Sequence, residues 1–127
     1  MSTPHPGHVL FPPEVVAKLR ENHAQTKAAQ ASGLPEPDHI PVVRIFNPVG
    51  TGTWLLTELL DDGDTLFGLC DVGEPELGYA SKAELEKLRC PSARGLPPVY
   101  QLERDLYFKP AGPLSHYADR ADHGEDI

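Results

Sequence analysis

The sequence predicts an α+β domain: a curved antiparallel sheet of four or five strands, with one helix packed on it and an N-terminal helix. Three observations carry this. Short β-branched and aromatic runs fill the middle of the chain, and two of them flank "DDGD", residues Asp61 to Asp64. Asp-Gly between apolar runs is a strong hairpin signal. Ser81 followed three residues later by Glu84 is a capping box that opens a helix directly after the strands.

The elements follow in order. Residues 1–10 are polar and rich in proline and are predicted to be flexible. Pro12 and Pro13 then introduce a helix over 13–32, proline being tolerated in the first turn. Val15, Val16 and Leu19 give it an apolar stripe that fades into Ala, Gln and Thr, so its second half is expected to be exposed or frayed. The segment 33–41, "GLPEPDHIP", reads as a linker because its three prolines forbid regular structure. "VVRIF", "TWLLTELL" and "TLFGLCDV" are strands, separated by "NPVGTG" and "DDGD", and "LGYA" is a shorter arm after "GEPE". "SKAELEKLR" places Leu85 and Leu88 on one helical face, with Ala80 and Leu85 at the staple positions, before Pro91. The loop "CPSARGLPP" leads to a last strand, "VYQLERDLYF". A sheet-helix core thus spans 42–110 within one domain of 11–121, followed by a helical turn (Leu114, Tyr117, Ala118, Ala121) and an acidic tail over 122–127.

A chain of 127 residues fits one domain with a small core. The net charge of −8 argues against a surface that grips a phosphate backbone, which needs clustered Lys and Arg. It suits solubility, a basic protein partner, or mimicry of nucleic acid. No apolar run is long enough to span a bilayer, and the first residues lack both the charged start and the apolar stretch of a signal peptide. The expectation is a cytoplasmic protein with Cys70 and Cys90 as free thiols.

The last strand poses a problem of charge. Strict alternation puts Leu102, Arg104, Leu106 and Phe108 on one face, so Arg104 falls on the apolar side. A buried guanidinium keeps its proton and needs acceptors. In "TWLLTELL" the same alternation aligns Trp54, Leu56, Glu58 and Leu60. The economical expectation is a structural Glu58–Arg104 ion pair, with Asp71 and Glu76 as rival acceptors.

From Val42 on, the ordered motifs Phe46-Asn47-Pro48, Thr53-Trp54, Phe67-Gly68-Leu69, Pro75-Glu76-Leu77-Gly78 and Glu103-Arg104-Asp105 resemble the bacterial domain-of-unknown-function family 2958. The resemblance covers about Pro41 to Ala121 and suits the preceding helix. It implies a small cytoplasmic protein of plasmids and other mobile elements, often encoded near conjugation or anti-restriction genes. It implies no established activity and no catalytic residue.

The motifs of chemistry are sparse. There is no GxGxxG and no GxxxxGK[ST], and neither cysteine has a CxxC partner. The pairs His5/His8 and His116/His123 lack thiols nearby, so no metal site and no cofactor are expected. His23 lies in the helix and His39 in the linker, away from the strands. The favoured expectation is a non-enzymatic accessory of a mobile element, a monomer or weak homodimer that binds another protein. A narrower form is anti-defence, the acidic surface occluding a host nuclease or DNA-binding complex. Candidate binding residues are Trp54, Asp71, Glu76, Tyr79, Glu103, Asp105 and Tyr107. The alternatives are a small enzyme using Glu58, Asp71, Glu103 and Asp105, and a single-stranded nucleic-acid binder stacking bases on its aromatics. A concave pocket with converging acids would mark the enzyme, and a flat or convex acidic-aromatic patch the binder.

Overall fold

The computed structural model describes residues 5–92 and 99–127. Helix α1 (Pro13–Ala31) is followed by strands β1 (Val43–Phe46), β2 (Thr53–Leu59), β3 (Thr65–Asp71) and β4 (Pro75–Ser81). Helix α2 (Lys82–Lys87), strands β5 (Arg89–Pro91), β6 (Val99–Gln101) and β7 (Glu103–Arg104), and helix α3 (Leu114–Asp122) complete the chain. The main sheet has five strands in the order β4-β3-β2-β1-β7, and every pairing is antiparallel. Strands β5 and β6 form a separate two-stranded ribbon. The α+β meander with a helix against it and an N-terminal helix is therefore the architecture the sequence predicts. The loop expected after Cys90 lies largely outside the described residues.

The hairpin turns are built from side chains. Asp62 accepts hydrogen bonds from the Asp64 amide (2.9 Å), the Thr65 amide (2.8 Å) and the Thr65 hydroxyl (2.5 Å), and Gly63 between them has φ +74°. Asp64 then reaches the next element: its carboxylate accepts from the Ser81 hydroxyl and the Ala83 amide at the start of α2. Ser81 caps that helix by accepting from the Glu84 amide at 3.2 Å. The helix is shorter than the sequence suggests. Leu88 is its C-cap, in extended conformation and exposed, and only Leu85 is buried.

A β-bulge decides how β2 is used. Leu56 pairs with Gly68 and Glu58 with Phe67, so Thr57 is an extra residue. The alternation shifts there. Trp54, Leu56 and Leu59 belong to one core, with Leu66 and Ile45, whereas Leu55 belongs to the other, with Leu69. Glu58, opposite Phe67, joins that second face, which corrects the expected Trp54-Leu56-Glu58-Leu60 alignment. The bulge also explains the glycine opposite it. A Cβ on Gly68 would sit 1.9 Å from the Leu55 carbonyl oxygen, so no larger residue fits.

The first face is covered by Leu10, Phe11, Leu19 of α1, Leu85 of α2, Cys90 and Leu102. The second is covered by Leu114 and Tyr117 of α3, with Phe108 and Ile127 packed beside them. Ile127 of the acidic tail also accepts from the Arg44 guanidinium through its carbonyl (3.3 Å).

Helix α1 remains regular to Ala31, contrary to the frayed second half expected. Its buried residues Leu19, Asn22, Thr26 and Ala29 continue one stripe, which turns polar beyond Leu19. The reason lies in β2. Strand β1 pairs with Thr53–Leu56 only, so the bulge and the residues after it lack a strand neighbour on that side. α1 takes that place, and Asn22 Nδ2 donates to the Thr57 carbonyl at 3.0 Å. A polar residue is what a free strand edge demands.

The long last strand is also corrected. It is split into β6, which pairs with β5, and the two-residue β7, which pairs with β1. A turn follows at once, with Asp105 accepting from the Tyr107 amide at 3.0 Å, and it sends Leu106 and Tyr107 outward. Arg104 does lie opposite Ile45, in the register of the first core. Its acceptors, however, are main-chain carbonyls: Val9 at 2.9 Å from Nε and Pro6 at 3.4 Å from Nη2. The expected Glu58–Arg104 ion pair does not form, because Glu58 stands four residues along β2 from Trp54, the partner of Ile45, and faces the other way. Asp71 and Glu76 do not serve Arg104 either. Residues 5–10, expected to be part of a flexible start, are docked by this guanidinium and by the burial of Gly7 and Leu10. Residues 1–4 lie outside the described residues.

Candidate functional site

The second face is incompletely covered. α3 shields one part of it and α1 borders another, and adjoining concave sites lie between them. The first, of about 140 Å³, lies between α1 and the sheet. Its walls are His23 and Thr26 of α1, Glu36, Glu58 of β2, Phe67 of β3 and Tyr79 of β4. The second, of about 150 Å³, shares Glu58 and Phe67 and extends to Asp38, His39, Leu77 and Leu114. The third, of about 420 Å³, is a groove between β4 and α3. Leu69, Leu77, Ala118 and Ala121 form its floor, with Glu76 and Asp122 on its rim.

A polar network fixes the walls. His23 Nδ1 lies 3.0 Å from Glu58 Oε1, with side chains 15% and 10% exposed. One turn further along α1, the Thr26 hydroxyl is 2.9 Å from His39 Nε2, and both residues are buried. The 33–41 segment thereby clamps the end of α1 to the start of α3. The Leu114 amide donates to the His39 carbonyl at 2.8 Å, and the Ser115 amide donates to Asp38 at 3.2 Å. A carboxylate at the first turn of a helix is favoured by the unpaired amides and the helix dipole. The segment read as a linker is thus a structural wall of the site.

The sequence-predicted binding residues fall in three places. Trp54 is 6% exposed in the first core and offers no surface, which corrects its candidacy. Tyr79, opposite Phe67, lies on β4 at the concave face, whereas Glu76, opposite Cys70, alternates to the first face and only borders the groove. Glu103, Asp105 and Tyr107 lie in or just after β7, at the opposite margin of the sheet, about 19 Å away at four strand spacings. Tyr107 is 88% exposed, and Asp105 is engaged by Arg44 at 3.4 Å. Asp71 closes the β3–β4 turn by accepting from the Gly73 amide at 3.0 Å.

Of the carboxylates considered for catalysis, only Glu103 and Asp105 share a cavity, one of about 190 Å³ that Arg104 and Tyr107 also line, and Asp105 is there paired with Arg44. Asp71 pairs with Thr53, five residues before Glu58 and about 17 Å from it along the strand. Glu103 and Asp105 are at the β7 margin. Burial pushes the Cys70 and Cys90 thiols up from their usual range, the reverse of what a nucleophile needs. Among the described residues, no three His, Cys, Asp or Glu side chains are grouped to hold a metal ion. Among the described residues, no helix is long and apolar enough to cross a membrane.

The sequence reading missed His23, Thr26 and His39 as site residues. The signal for two of them was present: Leu19, Asn22, His23 and Thr26 follow i, i+3, i+4, i+7 spacing. His39 sits among prolines, where no periodicity exists to reveal burial.

A small α+β domain, built on an antiparallel meander with a concave acidic-aromatic face, is the class these features define. The chain belongs to the family described as "Protein of unknown function (DUF2958)", whose model matches residues 10–127. No curated protein and no solved structure matches it.

Proposed function

We propose that this domain is a binding protein that acts on another protein through β4 and the groove beside it. The observation that carries this reading is the groove between β4 and α3, apolar in its floor and acidic on its rim. Leu77 within it and Tyr79 beside it are 55% and 67% exposed, on a strand whose outer edge is unpaired among the described residues. An edge strand left free is a template for main-chain pairing, and exposed aromatic and aliphatic side chains supply the anchor. The acidic rim and the net charge of −8 favour a basic partner segment. The groove is concave, where a flat or convex patch was expected of a binder. Asp71, Glu103 and Asp105 all lie away from Glu58, however, and that separation favours binding over the carboxylate enzyme.

In its narrower form the domain is a cytoplasmic accessory of a mobile element, and its partner is a host nuclease or another DNA-binding protein. Such proteins present the basic surfaces that an acidic groove complements. The test is capture from host extract with the wild-type chain, Leu77→Asp and Tyr107→Ala. The reading expects a partner retained by wild type and Tyr107→Ala and lost by Leu77→Asp. Equal capture by all three contradicts it.

A further inference from the structure

Beyond the groove lies the smaller pocket walled by α1, β2, β3 and β4, and we propose that it binds an organic cation, an alkylguanidinium or alkylammonium head, with Glu58 as its counter-charge. Glu58 is 8% exposed, and only its Oε1 has a protein partner. Oε2 has none among the described residues, and Glu58 lines both adjoining pockets. No fully buried side-chain oxygen or nitrogen lacks a partner among the described residues, so this oxygen keeps access to solvent on a residue that borders both pockets. A carboxylate held out of bulk water with a free oxygen calls for a donor, and a charged donor above all.

The other walls fit the same ligand. Phe67 and Tyr79 stand 5.3 Å apart between centroids and tilted by 57°, presenting aromatic surface to the cavity. Aromatic faces attract cations, and an acid beside them adds a full charge. Glu36 supplies a second carboxylate at the mouth, and His23, bound to Glu58, is the only basic group of the lining. An anion would meet two carboxylates here. At about 140 Å³ the pocket is well below the roughly 300–1,000 Å³ of sites for drug-sized ligands. It suits a head group and its stem. That stem belongs to a free metabolite or to an Arg or Lys side chain of a polypeptide.

The test is a titration of the full chain, followed by amide NMR, with N-acetylargininamide and with its neutral urea isostere, N-acetylcitrullinamide. A blocked Gly-Arg-Gly tripeptide forms the second arm. Saturable shifts at Glu58, Phe67 and Tyr79 are expected for the guanidinium ligands, with at least tenfold weaker binding of the isostere. Preference for the tripeptide assigns the cation to a polypeptide, and equal affinity to a free small molecule. Glu58→Gln should weaken binding more than tenfold. Tyr79→Ala, at an exposed position that folding tolerates, should weaken it severalfold and decides the matter if Glu58→Gln unfolds. Absence of saturable shifts in both arms, equal response to the isostere, or unchanged affinity in Tyr79→Ala overturns the proposal.

Discussion

His23 Nδ1 and Glu58 Oε1 are 3.0 Å apart, and this contact ties α1 to the central strand of the domain just beyond the bulge in β2. Sequence neighbours do not foretell it, since 35 residues separate the two. Hydrogen bonds to charged groups contribute about 1.5–3 kcal/mol when partly buried. His23→Ala is therefore expected to destabilise the domain by about that amount, since it leaves the Glu58 carboxylate without its donor. A double-mutant cycle with Glu58→Ala, read by urea unfolding, should show coupling between the positions. Additive effects would mean that the contact contributes nothing.

Gly68 is fixed by the same bulge. Its missing Cβ is the space occupied by the Leu55 carbonyl. Gly68→Ala is expected to cost at least the upper end of the roughly 1–3 kcal/mol typical of overpacking. Gly78→Ala, where a Cβ meets nothing within 4 Å, is the control and should change stability far less. Thermal unfolding of the two variants separates them.

Arg104 acts as a clasp on the N-terminal segment. Arg104→Met removes the donors to the Val9 and Pro6 carbonyls and should lower stability by about 1–3 kcal/mol. The local signature is faster hydrogen exchange at the Val9 amide, which donates to Pro6 in the docked turn. Glu58→Gln should leave exchange there unchanged, since Glu58 is not the partner of Arg104. Faster exchange there in Glu58→Gln would revive the discarded pair.

The Asp62 turn predicts a pH dependence. The Thr65 hydroxyl first, then the Thr65 and Asp64 amides, hold its carboxyl down at about 2, against an ordinary 3.8. A depressed carboxyl contributes stability that is complete above its unfolded value and is lost as pH falls through the folded one. Wild type should therefore lose stability between pH 3.8 and about 2 more steeply than Asp62→Asn. Parallel pH profiles over that window would contradict the assignment.

The legible parts of the fold were those with local chemistry. The Asp-Gly turn, the Ser81 cap and the double proline before α1 each fix the backbone within a few residues, and each stands where the sequence places it. The α3 turn was visible in the spacing of Leu114, Tyr117 and Ala121, which are its buried residues. What failed was alternation carried too far. One extra residue at Thr57 reversed the face of Glu58, and the break after Leu102 ended the strand that was to hold Arg104 among side chains. Bulges and strand ends are tertiary events, set by a partner strand that a single segment does not contain. Arg104 shares the register of Ile45, but its acceptors are main-chain carbonyls of a distant segment, which no pattern within the strand reveals. The site was hidden for the same reason: His23, His39 and Glu58 meet only when the 33–41 segment folds across the end of α1.

The proposed working surface is the concave side at β4 and not the margin at β7. A photo-crosslinking amino acid placed at Tyr79 or at Tyr107, both exposed, tests it in host extract. Position 79 should give a discrete cross-linked partner, competed away by the unmodified chain, and position 107 none. A partner trapped from 107 alone would contradict it.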